Sequence, residues 1–193
     1  MKGKRGKKFF MQEEWDVVEI LKKVRHDSLN HIQIVKGYLA LEKIDKAKEA
    51  LDHWTDRLRK ESALSGLKGA KLSVLLLTYP YRQWPVRLEY ELIGDGKSLR
   101  IEEERLAEWL ENFLRKLNRS ASWERENVLT LEMHFREKET YFSFLFSGSL
   151  NDPSFLKEIE QATEEPLYID HAEDGRNRFS FELRWNENGK GKE

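Results

Sequence analysis

Arg25-His26-Asp27-Ser28-Leu29-Asn30-His31-Ile32-Gln33-Ile34-Val35-Lys36-Gly37-Tyr38-Leu39 sits at the centre of the chain's longest helical pattern. With Val17 at zero and about 100° of rotation per residue, Val17, Ile20, Leu21, Val24, Ser28, Ile32, Val35, Tyr38 and Leu39 fall within about 60° of one direction. Ser28 is the small polar member of that stripe. The spacing predicts an amphipathic helix with one face made for packing. His26 projects at about 180°, opposite the stripe, and is expected to be exposed midway along a rigid element. His31 projects at about 320°, within the stripe, and reads as a core or interface histidine.

Moving outward, a second helix is expected after Ile44, with Asp45 as its N-cap and Ala47, Leu51, Trp54 and Leu58 on its apolar side. It fades at Ser65-Gly66. Only Glu42 to Asp45 separates the two helices, so residues 12–67 should form an antiparallel hairpin. Two helices leave their apolar stripes half covered. Pairing two hairpins into a four-helix bundle covers them and predicts a homodimer; the alternative is that the rest of the chain covers them.

Beyond Gly69 the periodicity changes. Leu72 to Leu77 is a dense apolar run compatible with either helix or strand, and Pro80 and Pro85 frame an aromatic loop with Tyr79, Tyr81 and Trp84. Val86, Leu88, Tyr90 and Leu92 alternate with Arg87, Glu89 and Glu91, the mark of a half-buried strand closed by Gly94-Asp95-Gly96. Leu106, Trp109, Leu110, Phe113 and Leu117 repeat at helical spacing. Three more strands are expected, through Leu129–Phe135, through Phe142, Phe144 and Phe146, and through Phe179–Trp185. A short helix from Pro153 to Glu160, capped by Asp152, should lie between them. Residues 70–186 therefore read as a sheet with helices on one face, and the whole chain as α+β.

Composition narrows the function classes. The 193 residues carry 34 basic and 35 acidic side chains, a formal net charge of −1. No global field draws in nucleic acid or anionic lipid. Cysteine is absent, which excludes disulfides, thiolate metal sites and thiol nucleophiles. No apolar run is long enough to span a membrane. The basic start (Lys2, Lys4, Arg5, Lys7 and Lys8, then Phe9 and Phe10) runs into Gln12, Glu13, Glu14 and Asp16 instead of a signal sequence's apolar core, so a cytoplasmic protein is expected. That tail reads as solvated, with membrane, nucleic-acid or partner contact as alternatives. Neither GxGxxG nor GxxxxGK[ST] nor GxSxG occurs.

Five histidines remain to be weighed. His53 falls on the polar side of the second helix, His134 on the polar face of a strand, and His171 in a turn-rich segment with Asp170 and Asp174. None has zinc-motif spacing, so no metal site and no intrinsic cofactor are expected. His26 and Asn30, four residues apart, are placed to interact along the helix, whereas His26 and Asp27, as sequence neighbours, are not. By itself an exposed histidine is unremarkable.

The motif around His26 carries more. Arg-His-Asp-x-x-Asn-x-[apolar]-Gln, followed by Gly37 and Leu39, resembles the phosphoacceptor helix of the sporulation initiation phosphotransferase B family. It is also similar to the related dimerisation helix of citrate- and fumarate-sensing histidine kinases. Leu41-Glu42-Lys43-Ile44-Asp45-Lys46-Ala47 looks like that family's turn into its second helix, and Glu61-Ser62-Ala63-Leu64-Ser65-Gly66-Leu67 like its end. Leu88-Glu89-Tyr90-Glu91-Leu92-Ile93-Gly94 and Glu124-Arg125-Glu126-Asn127-Val128-Leu129-Thr130-Leu131 resemble segments of its C-terminal domain. The likeness spans nearly all of the chain apart from its tails.

The resemblance implies a homodimer with a central four-helix bundle, each C-terminal domain a degenerate histidine-kinase ATPase domain. It implies that His26 accepts a phosphoryl group from an aspartyl phosphate of a single-domain response regulator. The group then passes to the aspartate of a second regulator, a transcription factor, in sporulation initiation. Neutral imidazole offers one free lone pair for such an attack, and the regulator is expected to supply Mg2+. Asn30, Gln33 and Gly37 border His26 and are candidates for shaping the docking face, with Asp27 adjacent; Arg25, beside the stripe, is either a phosphoryl or partner contact or a structural ion pair. The chain departs from an ATP-dependent kinase at two places. The helix from Glu102 to Leu117 holds Asn112 but no asparagine four residues before it, and Ser147 stands where the adenine-site aspartate would be expected. These departures favour a phosphotransferase over a sensor-type kinase; a non-catalytic scaffold that docks regulators stays as a further alternative.

Overall fold

The computed structural model describes residues 17–67, 69–94, 103–135, 140–152, 154–175 and 177–185. The expected basic tail and the Asp95-Gly96 turn lie outside them. The chain divides into two compact units at Leu58/Arg59.

The first unit holds α1, Val17–Ala40, and most of α2, Ile44–Ser65. Their reversal is a Schellman-type turn: the Glu42 N–H donates to Leu39 O at 3.0 Å and the Lys43 N–H to Tyr38 O at 2.9 Å. Glu42 takes the left-handed position that glycine usually fills, at φ 57°. Helix α2 begins one residue earlier than expected, so Asp45 is not its N-cap but an acidic residue of its first turn, where it faces the positive helix end. Between the helices Ala47 is buried and the His31 ring stacks on Trp54, centroids 5.4 Å apart. Much of the expected packing stripe stays open: Leu21, Val24, Ile32, Leu39, Leu51 and Leu58 are all exposed.

The second unit is a mixed five-stranded sheet in the order β1-β2-β3-β5-β4. Its strands are β1 Val86–Gly94, β2 Asn127–Phe135, β3 Thr140–Ser147, β4 Leu167–Gly175 and β5 Arg178–Trp185. β1 and β2 are parallel, which requires a crossover, and α4 (Glu103–Ser120) supplies it. The other pairings are antiparallel. Alternation puts Leu129, Leu131, Met133, Phe142, Phe144, Phe146, Phe179, Phe181 and Leu183 on one buried face. Against it lie Leu106, Leu110, Phe113, Leu114 and Leu117 of α4, and Phe155, Leu156 and Ile159 of α5 (Phe155–Ala162). The ambiguous apolar run is helical, α3, Ala70–Thr78, followed by a 3-10 turn at Tyr79–Tyr81. The last turn of α2 belongs to this core: Leu64 is buried and its carbonyl accepts the Ser73 hydroxyl at 2.7 Å.

Three expectations are corrected. Residues 167–175, read as turn-rich, form the edge strand β4, irregular between Asp170 and Glu173 and with His171 at φ 50°. Its outer half is polar and exposed, so no apolar alternation marks it. Helix α5 begins at Phe155 with Ser154, not Asp152, at its N-cap, and Asp152 Oδ1 accepts the Ser154 N–H at 2.8 Å; Pro153 lies outside the described residues. His134, expected on a polar face, is buried, stacked on Tyr141 at 4.3 Å and 3.2 Å from Glu132 Oε2.

Two buried asparagines tie loops to this core. Asn118 on α4 accepts the Val86 N–H at 3.2 Å and donates to Tyr79 Oη at 3.0 Å and Leu114 O at 2.7 Å. Asn127 donates to Ser122 O at 2.6 Å and accepts the Ser149 N–H at 2.8 Å; a Cβ at Gly148 would lie 2.3 Å from its Oδ1. Burial pushes the Tyr79 phenol up to about 12, against opposing contributions from the Asn118 bond and Arg82. The folded state therefore retains a proton that the unfolded chain loses above its ordinary phenol pKa of about 10. Stability should fall between about pH 10 and about pH 12, by roughly 2 kcal/mol from this group. Urea titrations at stepped pH should show a shallower alkaline decline in Tyr79→Phe; an identical decline would rule this source out.

Candidate functional site on the first helix

Helix α1 has the length and regularity to hold its outward face fixed, and that face carries the motif. The His26 side chain is 73% exposed. Arg25, Asn30, Gln33 and Gly37 are exposed beside it, Asp27 half-buried. An added Cβ at Gly37 would meet nothing within 4 Å, so the surface beyond His26 is flat and open. The structure thus places the sequence-predicted residues along one stretch of α1. It brings three of them together.

The Asn30 side-chain amide nitrogen lies 3.3 Å from His26 Nδ1, the i, i+4 contact expected on a helix surface. Asp27 comes closer to the ring than adjacency suggested, its Oδ1 3.7 Å from the same Nδ1. Both groups lie at Nδ1, on the same helix, and Nε2 takes part in neither contact. Ser28 turns its hydroxyl onto Val24 O at 2.9 Å, which removes it from the site. Among the described residues no group of three or more histidine, aspartate or glutamate side chains is arranged to hold a metal ion. None of the described helices is long and apolar enough to cross a membrane.

One neighbour was not found by sequence reasoning. Arg57 of α2 reaches Asp27, with Nη2 at 4.0 Å from Oδ2. Asp27 and Arg57 are equally far in sequence from Glu42, so a correct hairpin register pairs them; a link placed only as Glu42 to Asp45 leaves that register open.

The remaining histidines stand apart. His31 is stacked on Trp54, His53 is exposed on α2, and His171 is exposed on β4. In the second unit Asn112 on α4 and Ser147 at the end of β3 are both exposed.

Two family models match the chain and meet after α2, at residues 67/68, rather than at Leu58/Arg59. The helical domain described as the sensor kinase SpoOB-type alpha-helical domain covers residues 10–67, and the C-terminal domain of sporulation initiation phospho-transferase B covers residues 68–185. A relative from Bacillus subtilis strain 168, sporulation initiation phosphotransferase B, is 30% identical over 148 residues, 76% of this chain and 77% of the relative. Similar solved structures include the Acinetobacter baumannii histidine kinase AdeS, 15% identical, with TM-score 0.44 over 85% of this chain and 98% of that one. They also include histidine kinase ThkA in complex with response regulator TrrA, 16% identical, with TM-score 0.41 over 89% and 63% of the two chains. With the helical model spanning α1 and α2, and the C-terminal model spanning the sheet and its covering helices, the chain belongs to the sporulation initiation phosphotransferase B family.

Proposed function

We propose that this chain is a phosphorelay phosphotransferase of sporulation initiation, in which His26 takes a phosphoryl group from one response regulator and gives it to another. The observation that carries the reading is the placement of His26: 73% exposed on a rigid helix, with the Asp27 carboxylate 3.7 Å from its Nδ1. Family membership supports the reaction class, and the ring geometry supports the atom, Nε2.

In the first step the Nε2 lone pair attacks the phosphorus of the regulator's aspartyl phosphate in line. A P–N bond forms, the P–O bond breaks, and its electron pair returns to the aspartate as carboxylate. The proton on Nδ1 stays on the ring, which becomes a phosphoimidazolium, and the Asp27 carboxylate stabilises that positive charge. In the second step a carboxylate oxygen of the acceptor regulator attacks the same phosphorus and the P–N bond breaks, restoring neutral imidazole. The transfers are nearly balanced in energy, so this chain contributes positioning. Magnesium carried by the regulator would neutralise charge on the phosphoryl oxygens. A single-domain regulator is the donor and a transcription factor the acceptor, in the cytoplasm.

The exposed stripe on α1 and α2 is assigned to a second copy of the chain, giving a four-helix bundle with one His26 on each flank. Leu39→Glu, which puts a charge into that seam, is expected to convert dimer to monomer at micromolar concentration in sedimentation velocity. An unchanged sedimentation coefficient would remove the stripe from the interface.

The function is tested by mixing the protein with a regulator carrying labelled aspartyl phosphate. Acid-labile, base-stable label should appear on this chain and then on the second regulator. Stable self-labelling from ATP alone would replace the reading with a kinase, and binding of regulators without label transfer would leave a scaffold.

A further inference from the structure

We infer that Arg57, on the other helix of the hairpin, is a positioning residue for His26 that acts through Asp27. The inference rests on the phosphotransferase reading and adds a residue to it. Asp27 stands between the His26 ring and the permanently charged Arg57: its Oδ1 lies 3.7 Å from His26 Nδ1 and its Oδ2 4.0 Å from Arg57 Nη2. All three side chains lie within the first compact unit.

The chemistry turns on which ring nitrogen holds the proton. A neutral imidazole has one N–H and one lone pair. Only the tautomer with the proton on Nδ1 leaves a lone pair on Nε2. Two neighbours pull Nδ1 in opposite senses. A carboxylate only accepts, so Asp27 favours Nδ1–H. The Asn30 amide nitrogen, 3.3 Å away, only donates; engaged that way it claims the Nδ1 lone pair and leaves Nε2 protonated and inert. Whichever neighbour holds Nδ1 sets the fraction of His26 ready to attack.

Arg57 biases that contest. The Arg57 side chain is 35% exposed and the Asp27 side chain 41%, so each is partly packed against the hairpin. Attraction of Oδ2 toward α2 disfavours rotation of the carboxylate out to solvent and favours Oδ1 on the Nδ1 side of the ring. Removing the guanidinium releases Asp27 and leaves Asn30 in control. The weak, partly screened nature of such a pair sets the scale of the effect at about threefold to fivefold in rate, far below loss of the nucleophile.

The test reads the tautomer and the rate separately. Ring nitrogen shifts of His26 are measured by NMR on 15N-histidine-labelled full chain at about pH 8, where an ordinary histidine is neutral. Wild type, Arg57→Ala, Arg57→Lys and Asp27→Asn are compared. Wild type should show mainly Nδ1–H. Arg57→Ala and Asp27→Asn should both shift toward Nε2–H, and Arg57→Ala should slow transfer from a phosphorylated regulator by about threefold to fivefold. Arg57→Lys should recover most of both. Circular dichroism checks the hairpin, and the lysine variant decides if alanine costs helicity. A wild-type ring already protonated on Nε2, or an unchanged tautomer ratio in Arg57→Ala whatever its rate, overturns the inference. Absence of phosphohistidine in wild type would instead sink the phosphotransferase reading, and the ring shifts would still report on Arg57.

Discussion

Replacing His26 with glutamine is expected to abolish label transfer, with a loss of at least about 10³-fold, because no other group on α1 offers a nitrogen lone pair at that position. Asn30 and Gln33 carry amides, whose nitrogens are not nucleophilic, and Asp27 would form only an acyl phosphate at a half-buried site. The same substitution should leave folding nearly untouched. The side chain is 73% exposed, and glutamine is a good helix former. The contacts removed are the surface interactions with Asn30 and Asp27. A stability change within about 0.5 kcal/mol is therefore expected, together with unchanged regulator binding. Quenched-flow labelling alongside thermal unfolding measures both. Transfer retained at a tenth of the wild-type rate would move the chemistry to another residue, and His53, exposed on α2, would be the next to replace.

How far that site was legible depends on the kind of signal each part sends. The exposure of His26 follows from helical geometry once the apolar stripe from Ile20 to Leu39 is recognised, and the helix runs as expected. The strands β2, β3 and β5 were equally plain, because each has one face packed on α4 and so alternates strictly. β4 was missed because an edge strand whose second half lies in water needs no apolar periodicity; Asp170, Glu173 and Asp174 satisfy their backbone through β5 alone. The burial of His134 was missed for a related reason. Alternation puts it on the outer face of the sheet correctly, but stacking on Tyr141 buries it there, and no one-dimensional pattern encodes a cross-strand neighbour. Asn118 and Asn127 are the strongest case. Polarity alone suggests surface, yet each is buried and bonds backbone both nearby and distant, Asn118 to Leu114 and Val86, Asn127 to Ser122 and Ser149. Arg57 belongs with them, since its proximity to Asp27 depends on the one-residue register of the hairpin turn.

Phe113→Ala is expected to cost the second unit about 3 to 5 kcal/mol. Phe113 is 1% exposed and sits where α4 crosses the sheet. Its ring stacks on Trp109 at 5.3 Å and meets Phe144 at 5.2 Å, Phe181 at 5.5 Å and Phe155 at 5.9 Å. These partners come from α4, β3, β5 and α5, so a single truncation opens a cavity that no one element can close by shifting. Edge-to-face contacts with Phe144 and Phe181 add to the simple area term, since each favourable aromatic pair contributes roughly 0.5 to 1.5 kcal/mol beyond burial. Phe113→Leu, which keeps most of the volume but loses the ring geometry, should cost less than half as much. Trp123→Ala is the matched control: a large aromatic of the same unit that is 72% exposed, whose loss should fall within about 0.5 kcal/mol. Urea unfolding followed by far-ultraviolet circular dichroism gives the three values, with the Phe113→Ala midpoint lowered by about 2 M. A cost below about 1 kcal/mol for Phe113→Ala would mean that the aromatic cluster is loosely packed. The helix crossing would then have to be held instead by the aliphatic ridge of Leu106, Leu110, Leu114 and Leu117.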